Sequence, residues 1–218
     1  MTQQEKDWFK VFKNQINVVF TKEQYKGYTK ATKNHIKIYK KYLKPKAMLI
    51  DCGCGLGANS IPLSKYGYKI LGIDNNKQII KYARINNRKF NGKVKFKVMD
   101  IFKIDKYFKK DSFDACIHGG VIEHFPKKQI PRILKKQLKV APLIIFFSPI
   151  NTKTTLKFYG VKNPTKSRVY FDGVYRNLWK PSYWINNVLK GFNVIEYKIS
   201  KSHPIIYNVD EMMVVIKR

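Results

Sequence analysis

The stretch Met48-Leu-Ile-Asp-Cys-Gly-Cys-Gly-Leu-Gly-Ala58 carries an apolar run directly into three alternating glycines. Residues 48–52 read as a β-strand, Gly53, Gly55 and Gly57 as a sharp turn, and residues 58–65 as the helix that the turn opens. Glycine is needed where a backbone turns tightly and a ligand must lie against it with no Cβ in between. Outward from this turn the rhythm repeats. Residues 69–74, 94–99, 113–118 and 143–148 are short runs rich in Ile, Val and Phe, while residues 77–90 and 127–138 between them have helical length. Strand alternating with helix predicts an α/β fold, a doubly wound and mostly parallel sheet covered on both faces.

The flanks complete the expected fold. Residues 3–20 and 29–43 read as N-terminal helices, the second with Ile36, Tyr39 and Leu43 at i, i+3 and i+7 and closed by Pro45. Gly160, Pro164, Gly173 and Pro181 interrupt residues 151–184, which read as an insertion or lid, and residues 182–189 resume as a helix. Residues 192–199 and 211–217 read as strands joined by a connection too short for a crossover helix, so an antiparallel hairpin closes a sheet of seven strands. One domain of 218 residues is expected: N-terminal helices over 1–45, a ligand-binding core over 46–150, the insertion over 151–184, and the closing helix and hairpin over 185–218.

The acids narrow what the glycine turn binds. Gly53, Gly55 and Ala58 also satisfy the G-x-G-x-x-G/A fingerprint of NAD-binding proteins. Asp51 stands two residues before the first glycine, where a carboxylate repels a pyrophosphate and attracts a cation. Asp74 ends the second strand, where a carboxylate can accept from both hydroxyls of a ribose, and Asp100 ends the third, where it can accept from an adenine amino group. Each acid has a plainer reading too: Asp51 as a turn cap, Asp74-Asn75-Asn76 as a helix N-cap, Asp100 as a loop acid.

In this order the motifs resemble those of class I S-adenosylmethionine-dependent methyltransferases. Asp51-x-Gly53-x-Gly55-x-Gly57 is similar to that family's first motif, and Asp74 with Asn75 to its ribose-binding acid. Asp100-Ile101 is similar to its adenine-contacting pair, and Phe113-Asp114 to Phe125 to its fourth-strand motif. The resemblance covers residues 45–150 closely, and the expected hairpin matches the reversed pair that ends the family's sheet. Val121-Ile-Glu-His-Phe125 and Gln137-Leu-Lys-Val-Ala-Pro142 resemble the branch with quinone-biosynthesis and other small-molecule methyltransferases. The resemblance implies S-adenosylmethionine as cofactor and methyl transfer as the reaction. No metal is expected, because Cys52 and Cys54, one residue apart, fit neither a C-x-x-C site nor a disulfide framework.

Ligands of such sheets bind at the carboxyl ends of the strands where the strand order reverses. That edge carries the glycine turn, His118-Gly119-Gly120 and Ser148-Pro149. His118 is therefore expected to point into the transfer zone, as general base or as a wall of the cofactor pocket. His124, beside Glu123, is a second catalytic candidate, with capping or packing as its alternative. Residues 151–184 hold eight aromatics, Tyr170 and Trp179 among them, and seven cations including Arg176, against one acid, Asp172. Such a stretch can grip an anionic aromatic acceptor, stack bases, or simply pack as a lid. Tyr25 and Tyr28, read as preceding the second helix, are further acceptor candidates.

A net charge of +30 attracts polyanions. Yet the cations are 38 Lys and only 6 Arg, and the lysines are dispersed along the chain. Phe, Tyr, Met, Ile, Asn and Lys make 112 of the 218 residues and Gly, Ala, Arg and Pro only 33, the bias that an AT-rich genome imposes on any protein. With Arg scarce for bidentate contacts, a small-molecule acceptor is expected, and RNA is the alternative. No Asn/Asp-Pro-Pro-Tyr motif follows the fourth strand and Cys116 precedes Ile, which disfavours exocyclic-amine and cytosine-C5 chemistry. Intact glycines and acids disfavour a non-catalytic scaffold. No apolar run approaches the roughly 20 residues of a membrane span, and the N-terminus lacks a secretory pattern, so a cytoplasmic location is expected.

Overall fold

The computed structural model describes residues 3–161, 168–169, 174–201 and 209–218. Seven strands form one sheet: β1 (Met48–Cys52), β2 (Lys69–Asp74), β3 (Val94–Val98), β4 (Ala115–Gly119), β5 (Leu143–Pro149), β6 (Asn193–Lys201) and β7 (Asp210–Lys217). Their order is β3-β2-β1-β4-β5-β7-β6. β1 to β5 run parallel, with Asp51 beside Gly72 on one side and Ile117 on the other. β7 is antiparallel to both β5 and β6. The seven-stranded, mostly parallel sheet with its closing hairpin is the fold expected from the sequence. The order reverses between β1 and β4, which opens a crevice at their carboxyl ends.

Successive strand residues point to opposite faces, and the core divides accordingly. Leu49, Ile117, Ile145 and Phe147 pack with Ile61, Ile79 and Ile80 on the face covered by α2 (Lys22–Tyr42), α3 (Ser60–Ser64) and α4 (Lys77–Lys89). Ile50, Cys116, Ile144 and Phe146 pack with Ile133 and Leu134 of α5 (Ile130–Val140) and with Trp184 on the other. Burial on both faces explains why β5 reads Leu-Ile-Ile-Phe-Phe without alternation. Among the described residues no helix is long and apolar enough to cross a membrane.

Three elements differ from their sequence reading. α2 starts at Lys22 rather than at residue 29 because Thr21 and Gln24 form a capping box, the Thr21 hydroxyl accepting from Gln24 N at 3.1 Å and the Gln24 amide oxygen from Thr21 N at 2.9 Å. Tyr25 and Tyr28 therefore lie inside the helix, not before it. The closing helix is one α-turn, Pro181–Tyr183, that runs on into a π-helical turn, Trp184–Val188. α1 (Gln3–Gln15) is shorter than expected and lies across the mouth of the crevice, with Trp8, Val11 and Phe12 on its inner side.

Candidate functional site

At the reversal point a cavity of about 270 Å³ opens beneath α1 and α2. Its floor is the glycine turn, Gly53 to Leu56, continued by Gly119 and Gly120 at the end of β4. The backbone dictates these glycines: φ is +77° at Gly53 and +52° at Gly55, a region costly for side chains with a Cβ. A Cβ on Gly53 would also stand 2.9 Å from Val121, and one on Gly55 would stand 3.3 Å from the Phe12 ring. The Gly53 and Cys54 amides donate to Ile73 O of β2 at 2.8 and 2.9 Å, which fixes the turn against the neighbouring strand.

Asp51 and Asp74 adjoin the turn, Asp100 ends the next strand, and none of the three lines the cavity. Asp74 accepts from Gly55 N at 3.2 Å and from Asn76 N at 3.0 Å, and burial lifts its carboxyl to about 6. Asp51 is fully buried and accepts the Ser60 hydroxyl. Burial lifts it to about 7 and the nearby Asp74 charge adds to the rise, against the pull of Ser60. Asp100 is half-buried and accepts from Phe102 N at 2.9 Å, capping the short turn at Ile101–Lys103, with Ile101 buried behind it. Asn75 is exposed, and it is Asn76 that caps α4, accepting from Gln78 N and Ile79 N. Two acids whose charged forms burial disfavours, beside a glycine turn, suit a ligand that brings a cation and hydroxyl donors. These residues fit the cofactor implied by the resemblance.

His118 departs from expectation. It follows Ile117 and precedes Gly119, so its ring takes the face away from the cavity, stacked on Phe146 at 5.1 Å. Among the described residues neither ring nitrogen makes a hydrogen bond of good geometry, and burial, opposed only by the Gln137 side chain, drives the imidazole down to about 3. A neutral, enclosed ring on the wrong face of β4 cannot serve as the base pointing into the transfer zone. Trp179 is displaced in the same way: it packs edge-on to Trp184 at 5.0 Å and does not line the cavity. Tyr25 stacks on Phe90 at 4.0 Å, outside the cavity, whereas Tyr28 lines it. Tyr170 lies outside the described residues.

His124 and Arg176 do reach the cavity. His124 sits in a short 3-10 turn, Ile122–His124, rather than in a helix cap. Its Nδ1 donates to Tyr175 O at 2.7 Å, its Nε2 faces the Glu123 carboxyl at 3.4 Å, and its ring meets Trp8 edge-on at 4.5 Å. Glu123 is buried, which lifts it to about 7, while the Arg176 charge opposes the rise. The Arg176 guanidinium lies over the Tyr159 ring at 4.6 Å.

Two lining residues carry no motif in the sequence. His35 of α2 contacts Glu211 of β7, Nε2 to Oε1 2.7 Å, and its ring stacks on Phe147 at 4.0 Å. They are 176 positions apart, so only the folded chain brings them together. Among the described residues no lysine lines the cavity; its charged groups there are Arg176, Glu123 and Glu211, with His35 and His124. Among the described residues no cluster of three potential metal ligands occurs.

Comparison with known proteins accords with this geometry. The chain is 31% identical over 116 residues to a ubiquinone biosynthesis O-methyltransferase of Pelagibacter ubique, a match covering 51% of this chain and 44% of that protein. It is 32% identical over 114 residues to a ribosomal protein L11 methyltransferase of Thermosipho africanus, covering 50% and 42%. The chain thus matches less than half the length of these curated relatives. Among solved structures, the PH0226 protein of Pyrococcus horikoshii superposes with a TM-score of 0.68 at 19% identity over 97% of this chain and 98% of its own. A magnesium protoporphyrin IX methyltransferase of Synechocystis with bound SAH gives 0.65 at 19% identity over 100% and 95%. At such identities the likeness is one of fold. A family model described as a methyltransferase domain takes in residues 43–157, more than half of the chain, and this protein belongs to that family.

Proposed function

We propose that the chain binds S-adenosylmethionine on the glycine turn and transfers its methyl group to a small acceptor held under α1 and α2. The observation that carries the reading is the cavity at the β1/β4 reversal, floored by Gly53 and Gly55 and adjoined by Asp51 and Asp74. When bound, this cofactor supplies an electrophilic methyl carbon on a cationic sulfur. Asp74 would accept from the ribose hydroxyls, Asp100 and Ile101 would flank the base, and Asp51 would compensate the positive charge through the turn. The sulfonium needs little acid–base help, so holding acceptor and methyl carbon together in a dry site supplies much of the rate.

A small acceptor is favoured by the cavity wall. Among the described residues no lysine of those responsible for most of the +30 charge lines it, and aromatic and apolar groups make up most of the lining. The relatives' names point to both a quinone precursor pathway and a ribosomal protein, so a protein acceptor is the alternative to test. Titration with S-adenosylmethionine and with NAD, followed by labelled methyl transfer into separated small-molecule, protein and RNA fractions, decides the matter. Binding of S-adenosylmethionine alone with label in the small-molecule fraction supports the proposal, and NAD binding or label confined to macromolecules contradicts it.

A further inference from the structure

We propose that His35, oriented by Glu211, is the group that takes the proton from a hydroxyl-bearing acceptor during methyl transfer. This rests on the methyltransferase reading above and names the acceptor chemistry of that same site.

The chain has four histidines, and His203 lies outside the described residues. Of the other three, His118 is sealed on the far face of β4. His124 has both nitrogens engaged, one by a backbone carbonyl and one by Glu123. His35 alone of the three lines the cavity with a nitrogen to spare. An ionised carboxylate only accepts, so contact with Glu211 requires the proton of a neutral His35 to sit on Nε2. Nδ1 then carries the lone pair and has no partner among the described residues. Stacking on Phe147 fixes the ring plane, and the ring and carboxylate stay partly accessible, with side-chain exposures of 22% and 16%.

The placement suits the role. The cofactor-type groups, Asp51, Asp74 and Asp100, belong to the β1-β2-β3 half of the sheet. His35 lies over Phe147 of β5, whose carbonyl accepts from Gly120 N at 2.9 Å, on the other side of the reversal point. An acceptor between the two halves has the glycine turn on one side and the His35–Glu211 pair on the other. In the transfer the acceptor O–H bond breaks and its proton passes to His35 Nδ1. The oxygen lone pair forms the bond to the methyl carbon, and the C–S electron pair stays on sulfur, leaving neutral S-adenosylhomocysteine. The positive charge lost from sulfur reappears on the imidazolium, which Glu211 stabilises. Other ionisable groups facing this space are Tyr28 and Tyr39 from α2, Cys54 of the glycine turn, and Glu123, His124, Tyr159 and Arg176 across the cavity.

Two measurements test this. Nitrogen-15 NMR of the imidazoles, on the protein with and without S-adenosylhomocysteine, should find His35 protonated on Nε2, a preference lost in Glu211→Ala; a His35 protonated on Nδ1 overturns the proposal. Methyl transfer is then measured with catechol and 4-hydroxybenzoate as hydroxyl probes and a simple aryl thiol as control. His35→Gln should lower kcat on a hydroxyl probe about 100-fold and remove the fall in kcat at acid pH, with S-adenosylhomocysteine affinity unchanged. Glu211→Gln should keep that affinity and shift the acid limb. Unchanged kcat in His35→Gln, or methylation of the thiol with none of the hydroxyl probes, overturns the proposal. A wild-type protein that binds no S-adenosylhomocysteine defeats the methyltransferase reading instead, and the imidazole measurement on the free protein registers the two failures separately.

Discussion

The backbone N–H of Gly55 donates to the Asp74 carboxylate at 3.2 Å, tying the glycine turn after β1 to the acid that ends β2. A second donor, Asn76 N at 3.0 Å, holds the other carboxylate oxygen. The carboxyl is thus fixed in place before any ligand arrives, and each oxygen keeps a lone pair for it. Preorganisation of this kind would let a ribose, as proposed above, gain hydrogen bonds without ordering the acid.

Cofactor affinity should depend on pH through the two buried acids. Asp74 and Asp51 titrate at about 6 and about 7 because burial opposes their charged forms. A cationic ligand with hydroxyl donors favours those charged forms. Affinity is therefore full above these values, falls as pH drops through them, and binding near neutrality releases protons. Calorimetry in two buffers of different ionisation heat should show net proton release; proton uptake, or an affinity flat from about pH 5 to about pH 8, would contradict the electrostatic role of both acids.

Replacing His118 should change stability rather than chemistry. Its imidazole is driven down to about 3 in the fold, so the unfolded chain takes up a proton that the folded chain refuses. Stability is then lost as pH falls below the ordinary histidine value, by up to roughly 1.4 kcal/mol per pH unit. His118→Phe keeps the stack on Phe146, removes two buried ring nitrogens, and should flatten this acid-side loss while sparing turnover. Thermal unfolding across the acid range together with kcat measures both, and a large loss of kcat at unchanged stability would return His118 to the chemistry.

RNA should bind only through surface charge. Among the described residues no lysine reaches the cavity, and Trp179 is packed against Tyr183 and Trp184. Binding should fall steeply with salt and be negligible near physiological ionic strength. Trp179→Ala should cost roughly 2 kcal/mol of stability through lost packing and leave residual RNA binding unaltered. Filter binding across a salt series checks this, and salt-resistant binding weakened in the variant would mark Trp179 as a stacking platform.

The sheet was legible because a parallel strand buried on both faces leaves an unbroken apolar run such as Leu143 to Phe147. The glycine turn was legible because its positive φ angles restrict the residue type. The facing of His118 was in principle legible too, since on β4 the cavity side belongs to Gly119 and alternation turns its neighbour away. The start of α2 was written in Thr21-x-x-Gln24, a capping box that precedes the residue-29 start inferred from periodicity. The His35–Glu211 pair had no such signal. It joins the first third of the chain to its last strand, and neither residue sits in a motif.

The most direct test of the central claim, that the turn and its strand-end acid hold S-adenosylmethionine, is calorimetric titration of the wild-type chain and of Asp74→Ala. Two hydrogen bonds from ribose hydroxyls to a carboxylate are worth roughly 1.5–3 kcal/mol each, so the variant should bind at least about tenfold more weakly. Circular dichroism should show both proteins folded. Wild-type affinity in a folded Asp74→Ala variant, or no binding of S-adenosylmethionine by the wild-type chain, would contradict the account.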